Sequence, residues 1–411
     1  MDIGFSEALL LLGLLLAGAA ALSGWLRGTV LSISVLSVVA GIGLSGAGVV
    51  SADPGATIVL LLVELALILT LFSDGLFVEE ELFRKYWGPP ARALVVAMPL
   101  TLGLLAVMAK LLFPALTWTE AFLLGAVLAP TDPVVTSAVV TAERVPQAIR
   151  HTLNLESGLN DGLALPFVLF FLVAASPRGD PGSEALRLAG EAVVGAAIGI
   201  LLALIAGRLL PHLPGGGMTR RYEGIYALGT GFAAFGLADV TYGNGLIAAF
   251  VAGIALASTR HEIPETFKHF NEDVSAIFQV ATFFVFGALI VATGWEGSVW
   301  RLAIFIAFAL LVARPAAVLV SFIGVRLPRP QKLFVAWFGP KGVASMLFAL
   351  LVLNSTDPHR TIVFDVASFV ILASILAHGL TDTLGAQWIE RQIAGSGRAD
   401  ENEVGEEVER D

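Results

Sequence analysis

Thirteen apolar segments follow one another along this 411-residue chain. Each is close to the roughly 20 residues that a helix needs to cross the hydrocarbon core of a bilayer. No soluble fold could bury such a succession, so the sequence predicts an all-α polytopic membrane protein of about 13 transmembrane helices. The segments are numbered 1 to 13, and their centres lie near residues 15, 40, 65, 103, 130, 162, 198, 231, 251, 283, 312, 343 and 373.

The composition agrees with a lipid environment. Hydrophobic residues make up 56% of the chain and charged residues 14%, whereas soluble domains average roughly 25% charged residues. This excludes a soluble enzyme and a secreted disulfide scaffold. The net charge of −10 argues against a nucleic-acid partner. The absence of cysteine excludes thiolate metal sites, and His378 is the only one of six histidines deep in an apolar segment. We therefore expect no cofactor.

Basic residues are divided unevenly between the connections. Seventeen Lys and Arg residues follow odd-numbered segments or lie in the C-terminal tail, and five follow even-numbered segments. The positive-inside rule then predicts a multi-pass protein of the cell membrane (inner or plasma), with its N-terminus outside and its C-terminus in the cytoplasm. Segment 1 is preceded by Asp2 and Glu7 rather than by a basic stretch, so we interpret it as a retained helix rather than a signal peptide.

Two regions differ in composition. Residues 1–390 form the predicted transmembrane domain, and residues 391–411 form an acidic cytoplasmic tail. From Ser396 onward the tail holds seven acids, two arginines and no apolar face. Such a composition is typical of a solvated, disordered segment.

Segments 5 and 12 carry proline at their centres. Segment 5 reads GAVLAPTDPVV and segment 12 reads AWFGPKGVASM. Proline lacks an amide donor and breaks helices, and backbone groups freed within a membrane survive only beside protein or a water-filled cavity. Because the two segments are seven apart, an odd number, segments 1–6 and 8–13 would be inverted-topology repeats linked by segment 7. Broken helices at matching places in two halves indicate a transporter's binding site.

Polar residues cluster around the interruption of segment 5. Asp132 lies within it, and segment 6 adds two neighbouring polar columns, Glu156 with Asn160 and Ser157 with Asp161, because residues four apart share a helix face. A carboxylate at mid-membrane costs at least about 2.5–3.5 kcal/mol on insertion scales, so such residues are functional hypotheses by default.

The same residue types suit an exchange of ions. Hard monovalent cations prefer oxygen ligands, which Asp132, Asp161, Ser157 and Thr131 supply, and we place Na⁺ there. The carboxylates also bind protons, so one site can hold either ion but not both. Asp74, near the end of segment 3, is assigned to the same cavity. Two cations stand inside segments: Arg314, a natural partner for a buried acid, and Lys341, a counter-charge for freed carbonyls.

In these motifs the chain resembles the monovalent cation–proton antiporters, the family that includes the prokaryotic NhaP proteins and the animal sodium/proton exchangers. The resemblance lies in APTDPV (129–134), ESGLNDG (156–162), Arg314-Pro315 and FGPKG (338–342). It implies thirteen helices, a homodimer, a core of segments 4–6 and 11–13 that moves against a scaffold, and sodium–proton exchange in pH homeostasis.

The resemblance also assigns roles to two pairs of residues. The Asn160-Asp161 pair marks electroneutral exchangers of this family, where an Asp-Asp pair marks electrogenic ones. A Glu156–Arg314 ion pair is likewise implied. The chain departs from many relatives by having Pro-Lys rather than Pro-Arg in segment 12, which leaves the role of Lys341 less defined.

Several alternatives remain at the sequence level. Buried acids also line cation channels, so a channel or an uncoupled cation carrier is the second hypothesis. Gly43-Leu44-Ser45-Gly46 fits an intramembrane serine protease motif with His378 as base, but that hypothesis leaves Asp132 and Asp161 unused. Na⁺, Li⁺ and K⁺ accept the same oxygens, and the choice among them stays open.

Several single residues could also have purely structural roles. Ser157 could bond its own helix carbonyl, and Glu156 could serve only in an ion pair. Glu64 has no evident partner, Asp239 and Asp365 are expected to be wetted, and His378 is expected to be a satisfied buried residue. The small-residue pairs Gly24/Gly28 and Gly195/Gly199 predict close helix packing.

Overall fold

The computed structural model describes residues 5–408 except 27–32, 83–87, 133–144, 176–180, 210–221 and 260–264. Within these ranges the regular elements are all helical and no strand occurs. The helices are α1 (Phe5–Leu26), α2 (Ile33–Gly46), α3 (Thr57–Leu82), α4 (Gly88–Leu112), α5 (Trp118–Val127), α6 (Gln147–Ala175), α7 (Pro181–Leu209), α8 (Glu223–Asp239), α9 (Gly245–Ser258), α10 (Glu265–Thr293), α11 (Val299–Ser321), α12 (Arg329–Trp337), α13 (Val343–Leu353) and α14 (Arg360–Val408).

The predicted all-helical membrane architecture is confirmed in its coarse form. Twelve of the thirteen predicted centres lie on described helices, and the thirteenth, near residue 130, lies on the irregular stretch after α5. In the described part of the chain, seven helices are long and apolar enough to cross a membrane, and five further apolar helices are shorter. The number of thirteen crossings therefore stays a prediction, as does disorder in the tail, where the bounds of α14 extend to Val408.

Glycines set the closest helix crossings. A Cβ at Gly75 of α3 would overlap the carbonyl of Phe250 in α9, and a Cβ at Gly253 of α9 would overlap the carbonyl of Phe72 in α3. The two helices thus approach each other through reciprocal glycines, and only the missing side chains permit this distance. The crossing holds α3 firmly at the position of Asp74, the neighbour of Gly75.

The predicted packing role of Gly195 and Gly199 is confirmed. Their α-carbons in α7 face the carbonyls of Asn244 and Ala248 at the start of α9, where a Cβ would overlap those oxygens. The other predicted pair, Gly24 with Gly28, includes a residue outside the described ranges.

Two helices share an unusual local geometry. A π-helical turn occurs at Ala93–Ala97 within α4 and another at Ala309–Ala313 within α11. Each is followed directly by a helical stretch with proline in its first turn, Pro99 in α4 and Pro315 in α11. Proline removes an amide donor and crowds the preceding carbonyl, and a local widening of the helix accommodates both effects.

Buried apolar side chains join the elements around the two interruptions. One large cluster includes residues from α4, α5, α6, α11, α13 and α14, together with inner faces of α2, α3 and α10. A second cluster, rich in alanine, packs α7, α8 and α9 against α3. The interruptions of segments 5 and 12 are therefore enclosed by protein, as freed backbone within a membrane requires.

Candidate cation and proton site

The site lies where the non-helical stretch after α5 meets the non-helical stretch between α12 and α13. Helix α5 starts with a capping box between Thr117 and Glu120 and ends at Val127, and residues 128–132 are not helical. The second half of the predicted broken segment 5, residues 133–144, lies outside the described ranges. The other interruption separates α12, which ends at Trp337, from α13, which begins at Val343.

The two interruptions hydrogen-bond to each other through Asp132. Its backbone N–H donates to the carbonyl of Pro340 at 2.9 Å. Its carboxylate oxygen Oδ2 accepts the backbone N–H of Val343, the first residue of α13, at 3.1 Å. Each break thereby satisfies backbone groups of the other. The carboxylate also lies at a helix N-terminus, where the aligned peptide dipoles favour a negative charge.

The two glycines of the FGPKG motif leave room for charged side chains. A Cβ at Gly342 would overlap the carboxylate of Asp132, and a Cβ at Gly339 would overlap the guanidinium of Arg314. The motif is therefore explained by close contact: both glycines let a charged group lie directly against the interrupted backbone.

Lys341 neutralises the carbonyl end of the opposite helix. Its buried ammonium Nζ donates to the carbonyls of Pro130 at 3.1 Å and Ala129 at 3.4 Å. These carbonyls follow the C-terminus of α5, where partial negative charge accumulates. The sequence-based hypothesis made Lys341 a counter-charge for freed carbonyls, and those it contacts belong to the other interruption.

Helix α6 holds Thr131 by two side chains. The hydroxyl of Ser157 donates to the Thr131 carbonyl at 2.7 Å, and the amide Nδ2 of Asn160 donates to the Thr131 hydroxyl at 2.7 Å. The hydroxyl of Ser157 thus donates to the non-helical stretch after α5 rather than to a carbonyl of its own helix. Thr131, Ser157 and Asn160 are all buried and together place three oxygen-bearing groups beside Asp132.

Asp161 and Asp74 complete the cluster. Asp161 is buried and Asp74 is partly buried. Their side chains interact directly, and both lie within electrostatic range of Asp132. Two carboxyl groups in direct contact repel each other unless a proton or a cation lies between them. Among the described residues, Asp161 Oδ1 and Asp74 Oδ2 are buried oxygens with no hydrogen-bond partner. These oxygens are available as ligands.

A buried ion pair stands beside the cluster. Arg314 donates to both carboxylate oxygens of Glu156, at 2.6 Å and 3.1 Å, and also to the Phe338 carbonyl at 3.3 Å. The two side chains are only 8% and 4% exposed. A bidentate guanidinium–carboxylate pair has little capacity left for a mobile ion. The geometry therefore favours a structural role for Glu156, as the resemblance implies.

Two contacts that the sequence did not predict support the second interruption. The Ser374 hydroxyl accepts the backbone N–H of Lys341 at 2.9 Å, and His378 Nε2 lies 2.9 Å from the Trp337 carbonyl. Both residues stand on α14, four apart and therefore on one face. The four-residue spacing of Ser374 and His378 is the sequence feature that could have predicted this shared polar face. His378 is thus a hydrogen-bonded buried residue, as expected.

The remaining sequence candidates lie elsewhere. Glu64 on α3 is exposed and lines a cavity of about 220 Å³ with Asn354 at the end of α13. Asp239 is exposed as expected, but the expectation was wrong for Asp365, which is buried and accepts a hydrogen bond from Thr293 at 2.6 Å. Ser45 donates to the carbonyl of Ala288 in α10, while His378 contacts α12 and its own helix. No serine–histidine pair forms between them.

The sequence and the fold are similar to those of known proteins. The sequence profile of the family described as sodium/hydrogen exchanger, transmembrane, matches residues 11–384. The fold is similar to that of the sodium proton antiporter MjNhaP1 from Methanocaldococcus jannaschii, with a TM-score of 0.75 and 21% identity over 93% of this chain and 97% of that chain.

Two curated relatives are similar in sequence. The K(+)/H(+) antiporter NhaP of Alkalimonas amylolytica is 23% identical over 332 residues, which cover 80% of this chain and 57% of the relative. The K(+)/H(+) antiporter NhaP2 of Shewanella sp. (strain MR-4) is 25% identical over 396 residues, which cover 94% of this chain and 68% of the relative. Both relatives are therefore longer than this chain. The proteins described above are named antiporters, and antiporters are transporters rather than enzymes. From the profile match, which covers most of its length, the chain belongs to the sodium/hydrogen exchanger family.

Proposed function

We propose that this protein exchanges a monovalent cation for H⁺ across a membrane, at a single site formed by Asp132, Asp161 and Asp74 with Thr131 and Ser157. The observation that carries the proposal is the convergence of three acids where two non-helical stretches meet, residues 128–132 and 338–342. Two buried carboxylate oxygens there lack a hydrogen-bond partner among the described residues. A cation or a proton would satisfy them.

Competition for these oxygens provides the coupling. A bound Na⁺ would replace the proton that otherwise separates Asp161 from Asp74, because both neutralise the same buried negative charge. Thr131 and Ser157 would add oxygen ligands with no charge of their own. Release of one ion leaves the carboxylates in repulsion and favours uptake of the other. The exchange needs no further energy source.

Alternating access is proposed to use two inverted repeats. Three features recur seven predicted segments apart: the π-helical turns of α4 and α11, the prolines that follow them, and the interruptions at residues 128–132 and 338–342. The interruptions would cross near mid-membrane, and helices of segments 4–6 and 11–13 would move against a scaffold of the others. Inverted repeats supply the two equivalent conformations that such a cycle requires.

The proposed stoichiometry is one cation for one proton. Asn160 donates an amide N–H to the Thr131 hydroxyl and carries no charge, so it positions an oxygen ligand without adding a further titrating group to the three acids of the site. An electroneutral cycle follows if the acids of the site exchange a single proton for a single cation.

The identity of the cation is left to measurement. Both curated relatives described above are named K⁺/H⁺ antiporters, and the solved structure is named a sodium proton antiporter. Na⁺, Li⁺ and K⁺ are therefore all candidate substrates. The protein is further proposed to act as a homodimer in the cell membrane, with its N-terminus outside and its C-terminus in the cytoplasm.

Transport in proteoliposomes tests the proposal. A pH gradient is imposed with the vesicle interior acidic. Its collapse is followed with a pH-sensitive dye as Na⁺, Li⁺ or K⁺ is added outside in turn. Exchange predicts that the cation collapses the gradient and that a cation gradient alone can build a pH gradient. Cation flux without proton counter-flow would instead indicate the channel or uncoupled carrier.

A further inference from the structure

A second cluster of metal-ligating side chains lies away from the cation and proton site. Glu120 stands in the first turn of α5, while Asp357 and His359 stand in the connection between α13 and α14. One ligand atom from each residue lies within 4.8 Å of the other two. The transport mechanism proposed above uses none of these residues.

The contacts in the cluster leave one buried oxygen unused. His359 Nδ1 lies 2.8 Å from Glu120 Oε1, and Glu120 Oε2 accepts the backbone N–H of Thr117. Asp357 Oδ1 accepts the backbone N–H of His359 at 2.6 Å. Asp357 Oδ2 is buried and has no hydrogen-bond partner among the described residues.

The buried carboxyl groups of the cluster favour the binding of a cation. Glu120 and Asp357 are 2% and 1% exposed, and in the described part of the chain one imidazole, that of His359, faces the two carboxyl groups. Burying charge without full compensation is costly. The His359 side chain is 33% exposed, so an ion can reach the cluster from the aqueous phase without opening the fold.

We infer that Glu120, Asp357 and His359 form a binding site for a divalent transition-metal ion of the Zn²⁺ type. One imidazole and two carboxylates are a common zinc donor set, with a fourth position for water. Zinc–ligand bonds of about 2.0–2.2 Å would place the ligand atoms roughly 3.3 Å apart in a tetrahedron. Small side-chain movements reach that spacing, because the atoms already lie within 4.8 Å.

The bound ion would connect two elements of the transport site. Glu120 belongs to α5, whose far end leads to Thr131 and Asp132, and His359 immediately precedes α14, which carries Ser374 and His378 against the second interruption. Metal binding would therefore stabilise the arrangement of the two interruptions from the face of the membrane where α5 begins. The Glu120–Thr117 capping box already fixes one ligand in place.

The test is a Zn²⁺ titration of the purified, detergent-solubilised full chain after removal of any affinity tag. We expect one saturable Zn²⁺ per chain by isothermal titration calorimetry and a rise in melting temperature with Zn²⁺. His359→Ala, Asp357→Asn and Glu120→Gln should each weaken Zn²⁺ binding at least tenfold. Glutamine preserves a capping box, so Glu120→Gln removes the charge and keeps the helix start.

Two controls separate this site from other carboxylates. Glu296→Gln changes an exposed acid in the connection before α11 and should leave Zn²⁺ affinity unchanged. Asp161→Asn should also leave it unchanged, because Asp161 belongs to the other site. The inference is overturned if the chain binds no stoichiometric Zn²⁺, or if affinity is the same in His359→Ala and in the unchanged chain. It is equally overturned if affinity falls with Asp161→Asn instead.

Discussion

At the scale of single residues, the acids of the cation and proton site differ in what already binds them. Asp132 accepts a backbone N–H from α13, so it is partly engaged by the protein. Asp161 keeps a buried oxygen with no partner among the described residues. Asp132 therefore combines a structural contact with its charge, whereas Asp161 contributes chiefly the exchangeable ligand.

Substituting asparagine separates these contributions. Asp132→Asn retains an oxygen that can accept from Val343 but loses the charge, and Asp161→Asn loses only the charge. We expect both variants to fold with an unchanged or higher melting temperature, because neutralising a buried acid removes a desolvation cost. Both should lose cation-dependent proton flux in proteoliposomes. Asp239→Asn, at an exposed position, is the matched control, and full exchange in Asp161→Asn would contradict the assigned site.

The buried ion pair gives a stability prediction. Glu156→Gln or Arg314→Met leaves one charge buried and unpaired, which costs about 3–5 kcal/mol in soluble proteins. Each single variant should lower the melting temperature, and the double variant should recover part of the loss. The pair of exposed Arg187 with partly exposed Glu191, at 3.4 Å, is the control, since surface pairs contribute about 0–1 kcal/mol. Additive losses at Glu156 and Arg314 would argue against direct coupling.

Residue types and spacing predicted much of the site but not its contacts. Asp132, Ser157, Asn160 and Asp161 are visible in the sequence because charged and polar residues are rare inside apolar segments. Ser374 was missed, since a single serine in an apolar helix usually bonds its own backbone. Its role depends on a residue 33 positions away, and such a contact exists only after folding.

At the scale of elements, proline and glycine explain how the interruptions form. Proline is the reason that the sequence predicts a loss of regular helix in segments 5 and 12, and residues 338–342, between α12 and α13, are not helical. The π-helical turns of α4 and α11 were not predicted, because the widening is a packing response around Pro99 and Pro315 rather than a composition signal. The glycines of FGPKG were noted only as a motif until the structure brought Asp132 and Arg314 against them.

The glycine contacts predict a strong effect from a single methyl group. Gly342→Ala would push the Asp132 carboxylate away from α13, and Gly339→Ala would displace the guanidinium of Arg314. We expect both substitutions to reduce exchange at least tenfold. Gly103→Ala in α4 is the control, because a Cβ there meets nothing within 4 Å and alanine favours helix by up to about 1 kcal/mol. Transport rates normalised to folded protein measure the difference, and wild-type exchange in Gly342→Ala would exclude close contact with Asp132.

At the scale of the whole molecule, the proposed one-for-one exchange predicts insensitivity to voltage. If one cation enters as one proton leaves, the cycle moves no net charge, and only the two ion gradients drive it. Exchange rates should be equal at membrane potentials clamped with K⁺ and valinomycin, with Na⁺ or Li⁺ as substrate. If the membrane potential accelerates or reverses exchange, the one-for-one stoichiometry is wrong. A second transported proton, carried by Asp74 or Asp132, would then be indicated.

Competition for one site also predicts the pH dependence of exchange. Protons displace the cation at low pH and raise the apparent KM for Na⁺, whereas at high pH too few protons remain for the return half of the cycle. The rate should be bell-shaped in pH, and its acid limb should move to lower pH as Na⁺ increases. Rates measured at several pH values and Na⁺ concentrations check this. An acid limb that stays fixed as Na⁺ varies would mean that proton and cation bind at separate places.

The reciprocal hydrogen bonds between the interruptions have a consequence for biogenesis. Asp132 and Val343 are 211 positions apart, so the ribosome delivers α5 to the membrane long before α13 exists. Until then the irregular stretch after α5 must keep its backbone groups hydrated or shielded, because lipid cannot satisfy them. The first half of the nascent chain is therefore an incomplete insertion intermediate, dependent on the translocon or on water until its counterpart arrives.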